Sequence, residues 1–336
     1  MLKLLHIGNG RSRFPVEGPF LQRLQEMVEV TVILDGRDIP EAECARMFRE
    51  HDIALTIWGS MPIPEEIAAD PGKLRYIVNM SGEMRQWVSL AHIEAGIAVT
   101  NWGDTPAQGV AEGAMALLFA VMKNIRSYVE MARGDGWGIA NVATNAGLSG
   151  CDVGIYGMGV IGRRFVEMIR PFGAYLRVFD PYVADLPEGC MRVDSLRELF
   201  AASSIVVVHA GQSDETRGTI NKDMLALLPD GGIVINTARG GIIDQDALFA
   251  ELATGRLRAG LDVLDGPHGD ALPPGHPARQ LENLVLTAHS VSASRWGGVN
   301  TQQKLMQEVC LDNIQRFLRG DELRFIMTKE RYLRST

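Results

Sequence analysis

The sequence predicts an α/β protein with two doubly wound parallel sheets. Short apolar runs alternate with helical patterns, the alternation restarts halfway along the chain, and a glycine fingerprint with a spaced acid opens the second series. A length of 336 residues corresponds to about two domains. A hydrophobic content of 46% is enough to build two cores. In the first series, strand-like runs at 2–7, 30–34, 53–58, 76–79 and 97–100 are separated by segments with helical spacing. A long helix over 106–132 follows, with Val110, Ala114, Leu117, Leu118, Val121 and Ile125 on one face, and is expected to join the two domains. The second series places strands at 153–156, 176–179, 205–209, 232–236, 258–263 and 284–287. A last helix is predicted over 302–319, and no internal repeat or low-complexity segment occurs.

The fingerprint is Gly157-Met158-Gly159-Val160-Ile161-Gly162, followed by Asp180 after a spacer of 17 residues. An apolar strand feeds a tight turn at Gly157, and Gly159 lets the backbone approach a pyrophosphate at a helix N-terminus. Gly162 lets that helix pack on the strand. The run Ala174-Tyr175-Leu176-Arg177-Val178-Phe179 delivers Asp180 to the end of the next strand, where its carboxylate can accept both ribose hydroxyls and repel a 2′-phosphate. NAD is therefore expected over NADP. An ordinary βα turn also carries glycines, but the preceding strand, the following helix and the spaced acid together favour a dinucleotide site.

Charge and composition narrow the partners. The net charge is −8, the pI is near 5.5 and no dense Lys/Arg run occurs, so neither nucleic acid nor an anionic membrane surface is an expected partner. No apolar run is long enough to span a bilayer and the N-terminus lacks a signal-peptide pattern, so the expected location is cytoplasmic. Cys44, Cys151, Cys190 and Cys310 form no CxxC pair, which argues against zinc and against a disulfide framework; four buried, reduced thiols are expected, and no metal site.

Several ordered motifs besides the fingerprint carry a resemblance. They are Ser213-Asp214-Glu215-Thr216-Arg217-Gly218-Thr219-Ile220-Asn221, Ile235-Asn236-Thr237-Ala238-Arg239-Gly240-Gly241-Ile242-Ile243-Asp244, Ala259-Gly260-Leu261-Asp262-Val263 and Leu284-Val285-Leu286-Thr287-Ala288-His289. With these in register, the chain resembles the D-isomer-specific 2-hydroxyacid dehydrogenase family, which includes hydroxypyruvate and glyoxylate reductases. The resemblance implies a Rossmann NAD-binding domain over 104–292, inserted in a discontinuous flavodoxin-like substrate domain made of 1–103 and 293–336. It implies an NAD-dependent oxidoreductase moving a hydride between the cofactor and a small 2-keto or 2-hydroxy acid. The alternatives are a corepressor-like NAD(H)-binding regulator with lost turnover and, less consistent with the sequence, a formate-type enzyme.

Reduction of a 2-keto acid needs a cation for the carboxylate and a proton source beside the ketone. Arg239 follows an apolar strand and is flanked by two glycines, so a sharp backbone turn can present its planar fork to a carboxylate. His289 lies just beyond another strand, where an imidazole can give a proton to the alkoxide oxygen. Outside this context an Arg after a strand is often a surface ion-pair former and a strand-end His a structural residue. The family's third catalytic residue, a Glu that supports the histidine, falls at Pro267 here. Registering instead on Leu272-Pro273-Pro274 puts Asp270 in its place, with Asp265 as the other acidic candidate and solvated loop carboxylates as the plain reading of both. The resemblance further assigns Asp262 to the nicotinamide carboxamide, Ala210 and Thr216 to the adenosine half, and Thr237 and Ala238 to the nicotinamide ribose. It maps the substrate-carboxylate loop to Ser81, Gly82 and Glu83, where Glu83 disfavours a second anionic group and Arg85 is a candidate to accept one. Trp58, Ser60, Met61, Met80, Met84 and Trp87 suggest a partly apolar pocket or simply core. The resemblance also implies that a phosphorylated substrate is disfavoured, because no Arg occupies the loop after Ile57 where phosphoglycerate enzymes of the family place phosphate ligands. His209 reads as a strand cap and Asp244 as a helix N-cap. Trp137 matches a family tryptophan near the partner subunit, and a homodimer built on the 106–132 helix is expected.

Overall fold

The computed structural model describes residues 1–12, 14–134, 145–266, 271–293, 295–296 and 299–334. The chain divides into two compact units, residues 1–105 with 294–336 and residues 106–293.

The first unit runs β1 (Lys3–Ile7), α1 (Gly18–Gln25), β2 (Glu29–Ile33), α2 (Glu41–Glu50), β3 (Ile53–Thr56), β4 (Tyr76–Asn79), α3 (Leu90–Glu94) and β5 (Ala98–Thr100). Its strands form one parallel sheet in the order β2-β1-β3-β4-β5. β3 and β4 are buried along their whole length, which is why they read as continuous apolar runs rather than alternating ones. Successive side chains still serve opposite layers: Leu5, Ala54 and Ile77 face one core with Phe48, while Leu4, Ile53 and Tyr76 face the other with Leu24. The chain direction across the sheet reverses between β1 and β3, and the loops that follow these two strands are tied together by the Asn9 N–H to the Gly59 carbonyl and by the Gly8–Ser60 bridge.

The second unit begins with α4 (Ala107–Met122) and α5 (Ile125–Arg133). It continues through β6 (Asp152–Tyr156), α6 (Val160–Ile169), β7 (Tyr175–Phe179), β8 (Cys190–Arg192), α7 (Leu196–Ala201), β9 (Ile205–Val208), α8 (Lys222–Leu225), β10 (Ile233–Asn236), α9 (Gln245–Ala253), β11 (Arg258–Leu261) and β12 (Leu284–Leu286). Seven parallel strands pair in the order β12-β11-β10-β9-β6-β7-β8, with the reversal between β6 and β9. The chain ends in α10 (Thr301–Arg319) and α11 (Lys329–Arg334). α10 starts at Asn300, whose side chain accepts from the Gln303 N–H, and stops at Gly320 in the left-handed region. Its Met306, Cys310 and Ile314 close the β4 face of the first unit.

The expected fold class is observed, with three local corrections. The single helix expected over 106–132 is two helices: Asn124 takes a left-handed conformation (φ 49°) that its short polar side chain tolerates, and α5 turns away. Ile125 continues the apolar spacing of α4 yet is 49% exposed. Arg126 fixes the new direction by donating to the carbonyl oxygens of Leu281 and Leu284 at 2.5 and 2.9 Å. β8 has no strand signal in the sequence because it is a short, largely exposed edge that β7 templates. Only Cys44 and Cys310 are buried thiols; Cys151 and Cys190 are half-buried.

Candidate active site

The glycine fingerprint sits at the reversal between β6 and β9. Gly157 has φ 96°, and a Cβ there would collide with the backbone of Ala210 at the end of β9. A Cβ on Gly162 would collide with the carbonyl oxygen of Gly157, so α6 approaches the turn closely only because residue 162 has no side chain. Gly159 has open space where a Cβ would point, and no side chain caps α6, whose first residues Val160 and Ile161 are solvent-accessible. This leaves an uncapped helix N-terminus behind an unobstructed backbone turn, the arrangement a pyrophosphate needs.

Asp180 lies just past β7. Its Oδ2 accepts from the Met158 N–H at 2.7 Å and its Oδ1 from the Tyr182 and Val183 N–H groups at 2.9 and 3.2 Å. The carboxylate is thus locked against the fingerprint turn. Arg177, the nearest strand cation in sequence, is turned away into an ion pair with Asp152 at 2.9 Å. Arg192, which sequence reasoning missed, donates to the carbonyl oxygens of Asp180, Val183 and Ala184. Ala210 is buried under the turn. The Thr216 hydroxyl accepts from the Ser213 N–H and donates to the Gly211 carbonyl, so it shapes the 211–216 loop. The Thr237 hydroxyl is buried with no hydrogen-bond partner among the described residues, an orphan donor that fits a cofactor hydroxyl or amide.

Three adjacent strands, β10, β11 and β12, deliver Arg239, Asp262 and His289 from their carboxyl ends. Asn236 organises the first turn: its Oδ1 accepts from the Ala238 N–H and its Nδ2 donates to the Arg239 carbonyl. Arg239 is half-buried and its Nη1 donates to the Ala238 carbonyl at 2.8 Å. A Cβ on Gly240 would collide with the Leu264–Asp265 backbone, so this turn and the one after β11 are in direct contact. Asp262 is 5% exposed; its Oδ1 accepts from the Thr287 hydroxyl at 2.6 Å and from the Ser290 and Val291 N–H groups at 2.9 and 3.1 Å. Its carbonyl accepts from the His289 N–H at 2.6 Å. Asp262 therefore staples the turn that carries Ala288 and His289, both held at positive φ (50° and 52°). The sequence assigned Asp262 only to the cofactor; this second task is invisible without the fold.

Asp265 pairs with Arg217 at 3.3 Å and its N–H donates to the Gln245 side chain, which makes it a partner of that arginine. Asp270, Pro267 and Trp137 lie outside the described residues. Asp244 is the N-cap of α9, accepting from the Ala247 N–H. His209 does not cap β9: its ring packs on Phe165 of α6 at 5.0 Å, and both ring nitrogens are buried without partners among the described residues.

In the first unit, the loop after β4 is built on a buried network. Asn79 Nδ2 donates to the carbonyls of Ser81 and Glu83, and the Ser81 hydroxyl donates to Asn79 Oδ1 and the Glu83 carbonyl. These bonds turn the carbonyls inward, and none of the described residues accepts from the N–H groups of Ser81, Gly82 or Glu83. Consecutive N–H groups left without acceptors in this way are able to receive an anion. Glu83 accepts from Gln86 at 2.7 Å. Arg85, weighed as an anion ligand or a solvated residue, donates to the Tyr332 and Leu333 carbonyls and lies over the Tyr332 ring. Ser60, Met80, Met84 and Trp87 are core, while Trp58 and Met61 remain half-exposed. Among the described residues no cluster of His, Cys, Asp or Glu could hold a metal, and no helix is long and apolar enough to cross a membrane.

A seven-stranded parallel sheet with a glycine turn at its reversal point defines a dinucleotide-binding α/β protein. Residues 115–291 match the model of the D-isomer specific 2-hydroxyacid dehydrogenase NAD-binding domain. The chain belongs to the D-isomer specific 2-hydroxyacid dehydrogenase family. It is 33% identical over 228 residues to a hydroxypyruvate reductase of Thermotoga maritima, covering 64% of this chain and 71% of that protein. It is 27% identical over 314 residues to a D-3-phosphoglycerate dehydrogenase of Methanocaldococcus jannaschii, covering 91% of this chain and 57% of the relative. The chain thus spans only about half the length of the phosphoglycerate dehydrogenases it matches. Among solved structures, an acyclic imino acid reductase in complex with NADPH and D-Arg superposes with a TM-score of 0.79 at 25% identity, covering 97% of this chain and 100% of that one.

Proposed function

We propose that the protein is an NAD-dependent D-2-hydroxyacid dehydrogenase working as a 2-keto acid reductase, with 104–292 as the cofactor domain and the remainder as the substrate domain. The observation that carries this reading is the delivery of Arg239, Asp262 and His289 from three adjacent strand ends beside a glycine turn fit for a dinucleotide. When bound, the nicotinamide supplies a hydride to the carbonyl carbon. Arg239 holds the substrate carboxylate through its planar fork and polarises the ketone. His289 gives its proton to the oxygen that becomes the hydroxyl, and recovers one from solvent. Asp262 holds the His289 turn in place, Thr237 and Ala238 line the nicotinamide ribose, and Ala210 and Thr216 the adenosine half. The N–H groups of Ser81, Gly82 and Glu83 are further carboxylate ligands. Asp270 is the proposed support for His289, because the structure gives Asp265 to Arg217.

A phosphorylated substrate is disfavoured, since the loop Trp58-Gly59-Ser60-Met61 carries no cation. A homodimer belongs to this reading: α5 buries no residue and leaves Ile125 and Val129 49% and 43% exposed. A dinucleotide-binding regulator gains nothing from the relatives, which are named as dehydrogenases and reductases. The test is a spectrophotometric screen of NADH and NADPH oxidation against 2-keto acids. Oxidation with at least one acid is expected, and none across the panel would overturn the proposal.

A further inference from the structure

Outside the reacting residues, the first unit presents a feature that the proposed chemistry does not use. Four loops converge at the carboxyl edge of its sheet, two of them flanking the reversal between β1 and β3. The Asn9 N–H donates to the Gly59 carbonyl and the Gly8–Ser60 bridge ties the same loops together. From them project three half-exposed aromatic side chains in a continuous row. Phe14 follows β1, Trp58 follows β3 and Trp102 follows β5. The Phe14 and Trp58 rings are 5.5 Å apart, and Trp58 meets Trp102 edge to face at 5.2 Å.

The row ends on the anion nest. A Cβ on Gly82 would lie 2.6 Å from Trp102 Nε1, so residue 82 must be glycine for the indole to lie against the loop whose N–H groups are free. Neither indole N–H donates to any described residue, although an indole N–H normally finds a partner once it is covered. Three half-exposed aromatics in line with a nest of free donors make a surface with one polar end and one apolar end. A 2-oxo acid with a ring or branched chain has the same two ends.

We propose that Phe14, Trp58 and Trp102 form the side-chain subsite of the substrate, so that the preferred 2-oxo acids carry an aromatic or large apolar group. The inference rests on the 2-keto acid reductase reading above and adds the substrate class to it. The carboxylate lies on the N–H groups of 81–83, and the side chain runs along Trp102 and Trp58 toward Phe14, releasing water from apolar surface. Glyoxylate and hydroxypyruvate leave this surface wet. Arg85, the candidate for a second anionic group, is engaged by the C-terminal segment.

The test compares kcat/KM for phenylpyruvate and for glyoxylate in wild type, Trp58→Ala and the milder Trp58→Phe. Wild type is expected to favour phenylpyruvate by at least about tenfold. Trp58→Ala is expected to shrink that ratio about fivefold or more, chiefly through the KM for phenylpyruvate, and Trp58→Phe to retain most of it. A wild-type preference for glyoxylate, or a ratio untouched by Trp58→Ala, would overturn the subsite while leaving the reductase reading standing. If no 2-oxo acid is reduced, the reductase reading fails, and the subsite is decided by whether phenyllactate quenches tryptophan fluorescence saturably. Saturable quenching weakened in Trp58→Phe supports it, and no quenching ends it.

Discussion

Arg239 and His289 carry different burdens, and substitutions should separate them. Arg239→Lys keeps a charge but loses the planar fork, so turnover should fall by orders of magnitude while NADH binding, measured by fluorescence titration, stays near wild type. His289→Gln removes the proposed proton source and should cost about 10²- to 10⁴-fold in turnover; a variant with near-normal rate would mean the proton comes from elsewhere. Asp180 is the residue proposed to select the cofactor. Its carboxylate is fixed against the Met158 N–H, where a 2′-phosphate would meet it, so NADH should be preferred over NADPH by at least tenfold, about 1.4 kcal/mol. Equal use of both cofactors in kcat/KM would contradict that role. His209 bears on stability instead. Burial pushes its pKa down to about 3, against about 6.5 in the unfolded chain. Between those values the unfolded chain binds the extra proton, so the stabilising contribution is complete above about pH 6.5 and is lost as pH falls, by up to about 1.4 kcal/mol per unit. Urea midpoints at pH 7 and pH 5 should therefore differ more for wild type than for His209→Phe, and an equal drop would refute the assignment.

At the level of elements, the two glycines around the start of α6 should fail differently. Gly162→Ala puts a methyl into the Gly157 carbonyl, so both thermal stability and NADH affinity should fall. Gly159→Ala meets open space, so Tm should hold while NADH affinity drops about tenfold or more as the methyl enters the pyrophosphate's position. Loss of stability in both, or of affinity in neither, would remove the turn from the cofactor site. The element pattern was legible because buried parallel strands such as β4, β9 and β10 are continuous apolar runs. The break at Asn124 was not, because Ile125 keeps the spacing of a face that α5 no longer buries. β8 was missed because an exposed edge strand needs no apolar pattern. In the site, the glycines, Asp180, Arg239 and His289 were legible because each closely follows an apolar strand run within a contiguous motif. Arg85 and Asp265 could not be placed, since their partners Tyr332 and Arg217 are distant in sequence. Phe14 and Trp102 gave no signal, because residues on separate loops become a row only when the sheet order β1-β3-β4-β5 brings those loops together.

Over the whole molecule, two sheets with different strand orders bring separate chemistry to their carboxyl edges: the 2-1-3-4-5 order of the first places a donor nest and aromatic row, and the seven-stranded sheet a glycine turn and the Arg239 and His289 turns. The central claim is that this chain delivers a hydride to a 2-oxo acid with the handedness of its family. Chiral chromatography of the product formed from NADH and phenylpyruvate tests it most directly. The expected result is D-phenyllactate in one-to-one yield with the NADH consumed; the L-isomer, a racemate, or NADH loss without hydroxy acid would contradict it.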